Sequence, residues 1–411
     1  MSDLLELAAH CIRCGFCLES CPTFVLTGEE TESPRGRIYL ARSAEEGKIS
    51  WEQARPHLEA CLGCRACETA CPSSVYYNSI LEQSKVRLEE SKTGFAKRAL
   101  LAASVDPSKL SIQLAIAKAL GLKRIPAPLN RILSGQTAEA DLPRAEPKVT
   151  LPPLDESTLP APKGEVYLLE GCIMRVLFPR VKQATTRLLR RVGYLVRDVD
   201  QGCCGSLHAH NGFLPKAAEF AQGLIRSMPG NLPVLSTSAG CGSTMREYGW
   251  IAEDDPQTAN AFSARVADIS VFLKQNGLIE QLKTAPGYDS SLAYHDACHL
   301  AHGQKVTREP RDLLAAIPKA TLLDLPESDM CCGSAGIYNI LQPAIARRLL
   351  DRKADNAQKT KAEFLVMGNP GCHAWIAQAA RERKGAFQVL HTVEALEAAF
   401  SGLPPFAADS A

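Results

Sequence analysis

The sequence predicts a mixed fold, in which an all-α N-terminal domain is followed by two repeated α/β domains. Three observations lead to this prediction. A four-cysteine run occurs twice near the N-terminus, helical patterns lie between the two copies, and the C-terminal half repeats one order of apolar runs and cysteines. The chain of 411 residues is long enough for such a division into domains.

The N-terminal cysteine runs have identical spacing and indicate iron–sulfur clusters. Each run reads C-x-x-C-x-x-C-x-x-x-C-P, the spacing of bacterial ferredoxins that hold two [4Fe–4S] clusters. Three close cysteines then bind one cluster, and the fourth reaches across to the other. The predicted ligand sets are Cys11, Cys14, Cys17 and Cys71 for one cluster, and Cys61, Cys64, Cys67 and Cys21 for the second. Structural zinc is the alternative, although zinc sites usually pair two separated C-x-x-C knuckles.

The residues between the two runs read as helices. Ser33 can cap a helix that Pro34 opens, and a second short helix is predicted over residues 51–62. These patterns favour a helical ferredoxin-like domain over residues 1–93 rather than a small α+β ferredoxin.

Residues 94–164 are predicted to be a helical segment followed by a proline-rich linker. Helical periodicity runs over residues 95–123 and is broken at Pro107. This segment either packs on its own domain or forms an amphipathic helix for a membrane surface or a partner. Residues 124–164 contain eight prolines without apolar periodicity, which predicts an extended interdomain linker.

The rest of the chain is an internal duplication, with one domain predicted over residues 165–287 and another over 288–401. The first copy contains Cys172, Cys203, Cys204 and Cys241, and the second contains Cys298, Cys331, Cys332 and Cys372. Corresponding cysteines are 126, 128 and 131 residues apart, and a glycine follows each adjacent pair. Both order and spacing therefore repeat.

Short apolar runs precede these cysteines and alternate with helical stretches, which indicates parallel strands. Ligands of parallel sheets lie beyond the carboxyl ends of the strands, so each copy should gather its cysteines at one sheet edge. We predict a metal site in each copy, holding an iron–sulfur cluster or zinc. A vicinal disulfide or a pair of inert buried thiols is the structural alternative.

Histidines and arginines near the cysteines give further candidates. His295, His299 and His302 could ligate a metal beside Cys298 or exchange protons with a quinone, or simply form hydrogen bonds around the loop. His208 and His210 follow Cys204 and allow a weaker form of the same interpretation.

His373 follows Cys372 and could replace a missing cysteine ligand. Arg35 and Arg37 lie between the two cysteine runs, where they could offset the charge of a cluster or form surface ion pairs.

Composition narrows the function classes. Lys and Arg are dispersed and the net charge is +1, which gives no electrostatic case for nucleic acid binding. No secretory signal or window of eighteen apolar residues is evident, so we expect a cytoplasmic protein, with a peripheral position on the membrane left open. Cysteines in a reducing compartment serve metals rather than disulfides.

The cysteine segments of the C-terminal half resemble the CCG domains of heterodisulfide reductases. Joined to the N-terminal runs, they make the chain similar to the iron–sulfur subunits of bacterial glycolate oxidases. The resemblance rests on the motifs Cys14–Cys17, Pro34–Leu40, Glu170–Cys172, Gly202–Gly205, Ser238–Gly242 and Cys331–Gly336. The full CCG motif ends in C-x-x-C. Here Thr244 and Trp375 stand where the second cysteine would be, so the fifth ligand is absent from both copies.

The resemblance implies a function in electron transfer. Separate FAD-binding subunits would oxidise glycolate to glyoxylate, and this chain would pass the electrons to a quinone or another membrane electron-transport acceptor. The chain has no G-x-G-x-x-G fingerprint for flavin or nicotinamide, so we expect no substrate oxidation by it alone. The alternatives are a subunit of a lactate or glycerol-3-phosphate dehydrogenase, a thiol–disulfide reductase, or a scaffold with zinc sites.

Overall fold

The computed structural model describes residues 3–91, 95–134, 139–147, 151–252 and 254–405. The N-terminal part is helical, as predicted. Ser33 Oγ accepts a hydrogen bond from the Gly36 amide at 3.0 Å and caps the helix that Pro34 begins. Ser50 and Gln53 form a capping box at the start of the next helix. The helices are α1 (Leu4–Ala9), α2 (Pro22–Thr27), α3 (Pro34–Glu45), α4 (Trp51–Glu59), α5 (Ala66–Thr69) and α6 (Tyr77–Ser91).

The following segment contains two further helices that meet at Pro107, where the sequence predicts a break. They are α7 (Phe95–Ser104) and α8 (Pro107–Ala119). No residue of α8 is buried. Leu114 of α8 is partly buried against a hydrophobic core cluster, so one face of this otherwise exposed helix packs on the protein.

The prediction of an extended linker over residues 124–164 is wrong in part. The two short strands β1 (Arg124–Ile125) and β2 (Ala140–Asp141) pair in antiparallel fashion and flank α9 (Ala127–Ser134). Pro126 precedes this helix and Pro128 lies in its first turn, where a missing amide donor costs no helical hydrogen bond. Asn130 in this helix is fully buried, so the segment packs on the protein.

The first copy of the duplication is a four-stranded parallel sheet with the order β4-β3-β5-β6. Its strands are β3 (Gly164–Leu169), β4 (Tyr194–Val196), β5 (Val234–Ser236) and β6 (Val266–Asp268). Its helices are α10 (Cys172–Leu177), α11 (Pro179–Arg191), α12 (Ser206–Ala209), α13 (Leu214–Ser227), α14 (Ala239–Met245), α15 (Tyr248–Ile251), α16 (Pro256–Ser263), α17 (Ile269–Gln275) and α18 (Leu278–Lys283).

The second copy repeats this topology, with strands in the order β8-β7-β9-β10. Its strands are β7 (Ser291–Tyr294), β8 (Thr321–Leu323), β9 (Phe364–Met367) and β10 (Gln388–His391), and a π-helical turn covers His299–Gly303. Its helices are α19 (Arg308–Ala315), α20 (Tyr338–Leu341), α21 (Pro343–Thr360), α22 (Pro370–Glu382) and α23 (Thr392–Ala398). The predicted fold class is confirmed.

The two copies share one hydrophobic core. Leu188 of α11 and Leu278 of α18 belong to the same buried cluster as Leu313 and Leu396 of the second copy. The second cysteine run joins a neighbouring cluster, in which Leu62 and Cys64 pack with residues of the second copy. Burial of this continuous apolar surface ties the three regions together. Among the described residues, no helix is both long and apolar enough to cross a membrane.

Candidate functional site

The first cysteine run lies near the surface. Cys11, Cys14, Cys17 and Cys71 line one small pocket of about 30 Å³, next to Cys67. Cys14 is exposed, whereas the other three of the predicted set are half-buried. The structure thus brings together the four cysteines that the spacing assigns to one cluster. Their role as ligands remains a prediction.

The second run is enclosed. Cys21, Cys61, Cys64 and Cys67 are all buried. Burial raises the pKa of the Cys67 thiol well above its usual value, and the nearby Cys64, Cys61 and Cys21 thiols raise it further. Cys21 therefore lies close to the second run, while its assignment to that cluster remains a prediction.

Polar donors point at the sulfurs of the second run. The Tyr77 hydroxyl donates to Cys61 Sγ at 3.5 Å, and the Gly63 amide donates to the same sulfur at 3.4 Å. Arg37 is 1% exposed, and its Nη1 approaches Cys21 Sγ at 3.9 Å. Hydrogen bonds and positive charge at the sulfurs stabilise an anionic four-thiolate cluster.

The Arg37 guanidinium is fixed by three further bonds, which argues against the surface ion pair that the sequence left open. It donates to Glu32 Oε2 at 2.6 Å, to the His57 carbonyl at 2.6 Å and to Thr23 Oγ1 at 2.9 Å. Arg35 forms a partly exposed ion pair with Glu30 at 2.6 Å and also lines the pocket of the first cysteine set. The two arginines of one helix turn therefore lie at different cysteine groups.

The residues present fit two [4Fe–4S] clusters. Eight thiols form two groups of four, and the sulfurs of one group receive donors from neighbouring side chains and amides. Because burial disfavours the thiolate form of Cys64 and Cys67, their protons must leave when metal binds.

In the first copy of the duplication, four thiols form a row. Cys172 Sγ lies 3.7 Å from Cys203 Sγ. Cys204 contacts both Cys203 and Cys241. The contact with Cys172, followed by that with Cys204, lowers the pKa of Cys203 well below its usual value. Tyr248 Oη donates to the Cys204 carbonyl at 2.9 Å and fixes the loop.

The second copy holds an equivalent row. Cys331 contacts Cys298 and Cys332, and Cys332 also contacts Cys372. A ring nitrogen of His295 and the sulfurs of Cys332 and Cys372 all lie within 4.8 Å of one another. The predicted cysteines of each copy are therefore gathered at one place. Neither row shows a disulfide, and all sixteen cysteines are free.

Both rows open into one cavity of about 480 Å³. It is also lined by Cys61 of the second ferredoxin-like run, so three cysteine groups face a common space. The cysteines on its wall are Cys61, Cys172, Cys203, Cys204, Cys241, Cys298, Cys331 and Cys372.

Titratable side chains line the same cavity. Glu82 Oε1 lies 2.9 Å from His210 Nδ1, and the His210 ring lies 4.9 Å from the His299 ring between centroids. Burial raises the pKa of Glu82 to about 7 and lowers the pKa of His210 to about 3. The cavity wall can therefore hold or release a proton near neutral pH.

The other candidate histidines were predicted either to ligate a metal or to form ordinary hydrogen bonds, and the structure distinguishes between these interpretations. His302 hydrogen-bonds Thr69 Oγ1 at 3.0 Å, and His208 packs against Phe220. His373 faces Glu146 Oε1 at 3.2 Å and stacks on Phe178. The hypothesis that His373 replaces a cysteine ligand is therefore not supported by its position. Only His295 of this group approaches two sulfurs within 4.8 Å.

Sequence reasoning did not identify Lys353 and Tyr338. Lys353 is 2% exposed, and burial lowers its pKa, an effect that the Cys332 and Cys331 thiolates oppose. The signal was a lysine on the apolar face of α21, between Leu350 and Ala354. Tyr338 Oη donates to the Ala60 carbonyl at 2.8 Å and joins α20 to the second run, a contact that sequence spacing does not reveal.

Comparisons with known proteins agree with this division of the chain. A 4Fe-4S dicluster domain model matches residues 7–75, and a cysteine-rich domain model matches residues 166–246 and 292–377. The chain is 34% identical over 400 residues to the glycolate oxidase iron-sulfur subunit of Escherichia coli (strain K12), covering 95% of this chain and 93% of that protein.

A probable glycolate oxidase iron-sulfur subunit of Bacillus subtilis (strain 168) is 33% identical over 390 residues, covering 88% of this chain and 87% of that protein. In fold, the chain is similar to the crystal structure of a hypothetical protein from Helicobacter pylori. That similarity has a TM-score of 0.50 and 10% identity, and it covers 91% of this chain and 69% of the other.

Proposed function

The chain belongs to the family of glycolate oxidase iron–sulfur subunits, and on that premise we propose that it is the electron-transfer subunit of an FAD-linked glycolate dehydrogenase. Partner subunits that bind FAD oxidise glycolate to glyoxylate, and this chain passes the electrons towards a quinone-type acceptor. The observation that carries the proposal is the extent of the similarity, because it covers 95% of the chain and includes both cysteine-rich regions.

The proposed cofactors are two [4Fe–4S] clusters held by the crossed sets given above. When bound, such clusters supply one-electron carriers between a two-electron flavin and its acceptor. The chain contributes the thiolates, and Arg37 and Tyr77 stabilise negative charge at the second set. The cysteine rows of the two copies are proposed as further metal sites, holding an iron–sulfur cluster or zinc.

We propose that electrons enter at the first cysteine run. Cys14 is exposed there, and Phe16 beside it is 70% exposed. Ile12, Tyr39 and Tyr76 are also large exposed apolar or aromatic side chains. Such side chains are typical of protein interfaces, and this face fits docking of the flavin subunit.

The proposed exit is the shared cavity. It combines cysteines of three groups with Glu82, His210 and His299 on one wall. A quinone-level acceptor takes up protons with its electrons, and Glu82, with its pKa of about 7, suits that exchange.

We further propose a cytoplasmic protein that contacts the membrane through α8. Ile112, Ile116 and Leu120 form one exposed stripe along this helix and its C-cap, and Ile116 is 55% exposed. Lys109 and Lys118 lie on the same helix and suit anionic lipid headgroups. Flotation with vesicles containing phosphatidylglycerol tests this part, and an Ile112→Ser/Ile116→Ser variant is expected to lose binding.

The test of the central proposal uses the chain purified anaerobically with its FAD-binding partners. Glycolate should bleach the visible iron–sulfur absorbance of the complex, and the isolated chain should show no such reaction. Lactate and glycerol 3-phosphate serve as competing substrates. Faster reduction by either one would reassign the substrate, and no reduction of iron in the complete complex would contradict electron transfer by this chain.

A further inference from the structure

The metal sites of the two copies differ in chemistry although their cysteines correspond. Leu169 lies three residues before Cys172, and His295 lies three residues before Cys298, at the ends of equivalent strands. A buried leucine in the first copy is therefore replaced by a buried histidine in the second.

A second pair differs in the same way. A Cβ at Gly205 would lie 3.0 Å from the Ala217 carbonyl oxygen, and one at Gly333 would lie 2.6 Å from that of Ala346. Ala217 of α13 and Ala346 of α21 therefore occupy equivalent positions in the two copies. Seven residues further along, Leu224 in the first copy corresponds to Lys353 in the second, and both are buried.

The hydrogen bonds of His295 leave one ring nitrogen free. Nδ1 lies 3.0 Å from the Ser328 carbonyl oxygen, which can only accept, so Nδ1 carries the proton. Nε2 then has an available lone pair. It is buried and has no hydrogen-bond partner among the described residues. Histidines that bind metals are oriented in this manner, with the second nitrogen donating to a carbonyl.

We propose that His295 is a metal ligand through Nε2, in a single-ion site with Cys332 and Cys372. One ring nitrogen of His295 and the sulfurs of Cys332 and Cys372 lie within 4.8 Å of one another. The ligand atoms of one tetrahedral ion lie close together, because each bond to the ion is only about 2.0–2.3 Å long. The four cysteine sulfurs of a cube bind different iron atoms and therefore lie further apart.

The ligand chemistry selects a divalent ion of borderline softness, zinc or ferrous iron. Two thiolates balance the charge of one divalent cation. The Lys353 ammonium donates at 3.3 Å to the Ser328 carbonyl that also orients His295, and so helps to fix the imidazole. The two thiol protons leave to solvent on binding, and no oxidation or reduction is required. This inference rests on the proposed metal binding at the second site and not on the identity of the substrate.

The test measures bound zinc and iron per chain and affinity by chelator competition, on anaerobically purified full-length protein. His295→Leu introduces the residue of the first copy, and His295→Cys supplies a different soft ligand. Leu169→Ala is the matched control, since it changes the equivalent buried position of the first copy. X-ray absorption at the zinc or iron edge reports nitrogen and sulfur ligation and shows which ion is present.

We expect His295→Leu to weaken binding of one ion by at least about 100-fold, with loss of the nitrogen scatterer, and His295→Cys to retain the ion. Leu169→Ala should leave that ion bound. Full retention of the ion in His295→Leu, with loss in Cys332→Ser, would overturn the assignment of His295 alone. Retention in both variants would also overturn metal binding at this site.

Discussion

The two ferredoxin-like cysteine runs have the same spacing but different surroundings. The first lies at the surface with Cys14 exposed, whereas the second is buried between the helical domain and the second α/β copy. Arg37 and Tyr77 serve the second run. The difference teaches that ligand spacing defines which cofactor is held, while packing decides whether the site faces a partner or the interior.

The largest expected effect comes from breaking the second set. Cys64→Ser should lower the iron content by about four atoms per chain and abolish electron transfer to the acceptor. Because Cys64 lies in the buried cluster shared with the second copy, thermal stability should fall as well. Cys14→Ser is the matched variant of the exposed run. An equal loss of stability in both variants, measured by calorimetry, would contradict the difference in packing.

The next effect concerns the two arginines of α3. Arg37→Gln should reduce the free energy of unfolding by about 3–5 kcal/mol, because it removes a buried, fully bonded guanidinium and leaves Glu32 with His57 as its remaining ion-pair partner. Arg35→Gln should cost about 0–1 kcal/mol, because its ion pair with Glu30 is partly exposed. Denaturant unfolding measures both values. Arg37→Gln should also lower the reduction potential of the second cluster, since a positive charge is removed near Cys21.

A third prediction concerns the pH dependence of stability, which depends on the buried carboxyl of Glu82 in the cavity beside the second run. Burial raises the pKa of Glu82 from 4.5 to about 7, so the folded state binds this proton more tightly than the unfolded state. The stability that protonation contributes is fully present below pH 4.5 and is lost as the pH rises through 7.

Between pH 5 and 8 the wild type should therefore lose up to about 3 kcal/mol that Glu82→Gln retains. Thermal unfolding at several pH values measures the difference, with Glu19→Gln as a surface control. Parallel curves for the wild type and Glu82→Gln would show that Glu82 titrates without constraint.

The smallest effect on the fold is expected at the exposed run. Phe16→Ser should leave stability unchanged but weaken the complex with the flavin subunit by about 10-fold, the loss of one interface anchor. Leu403→Ser is the control, because Leu403 is also exposed but lies far along the chain. Surface plasmon resonance against the flavin subunit gives both affinities. Equal binding by the two variants would move the docking face elsewhere.

The sequence predicts the parts of this molecule that rest on local pattern. Cysteine spacing indicated the groups that the structure gathers, and Ser33 and Pro34 marked the start of α3. The parallel strands followed from apolar runs. These features depend on residues that are close together in the sequence, so periodicity and capping rules can predict them.

Features that depend on distant segments were not accessible in this way. The contact of Tyr338 with Ala60 joins residues 278 positions apart. Helix α9 was hidden by its prolines, and the approach of His295 to Cys332 and Cys372 depends on three separate strand ends. Of these three features, only the role of His295 was suggested by the sequence, because His295 belongs to a histidine cluster beside Cys298.

The position of the second run beneath α20 also bears on the order in which cluster insertion and folding take place. Ala60 and Leu62 are covered by residues of the second copy, which a ribosome synthesises last. A scaffold protein that delivers a preformed cube needs access to open thiols. We therefore expect iron to enter the second run before the C-terminal copy packs over it, whereas the exposed first run stays open to loading or repair in the finished molecule.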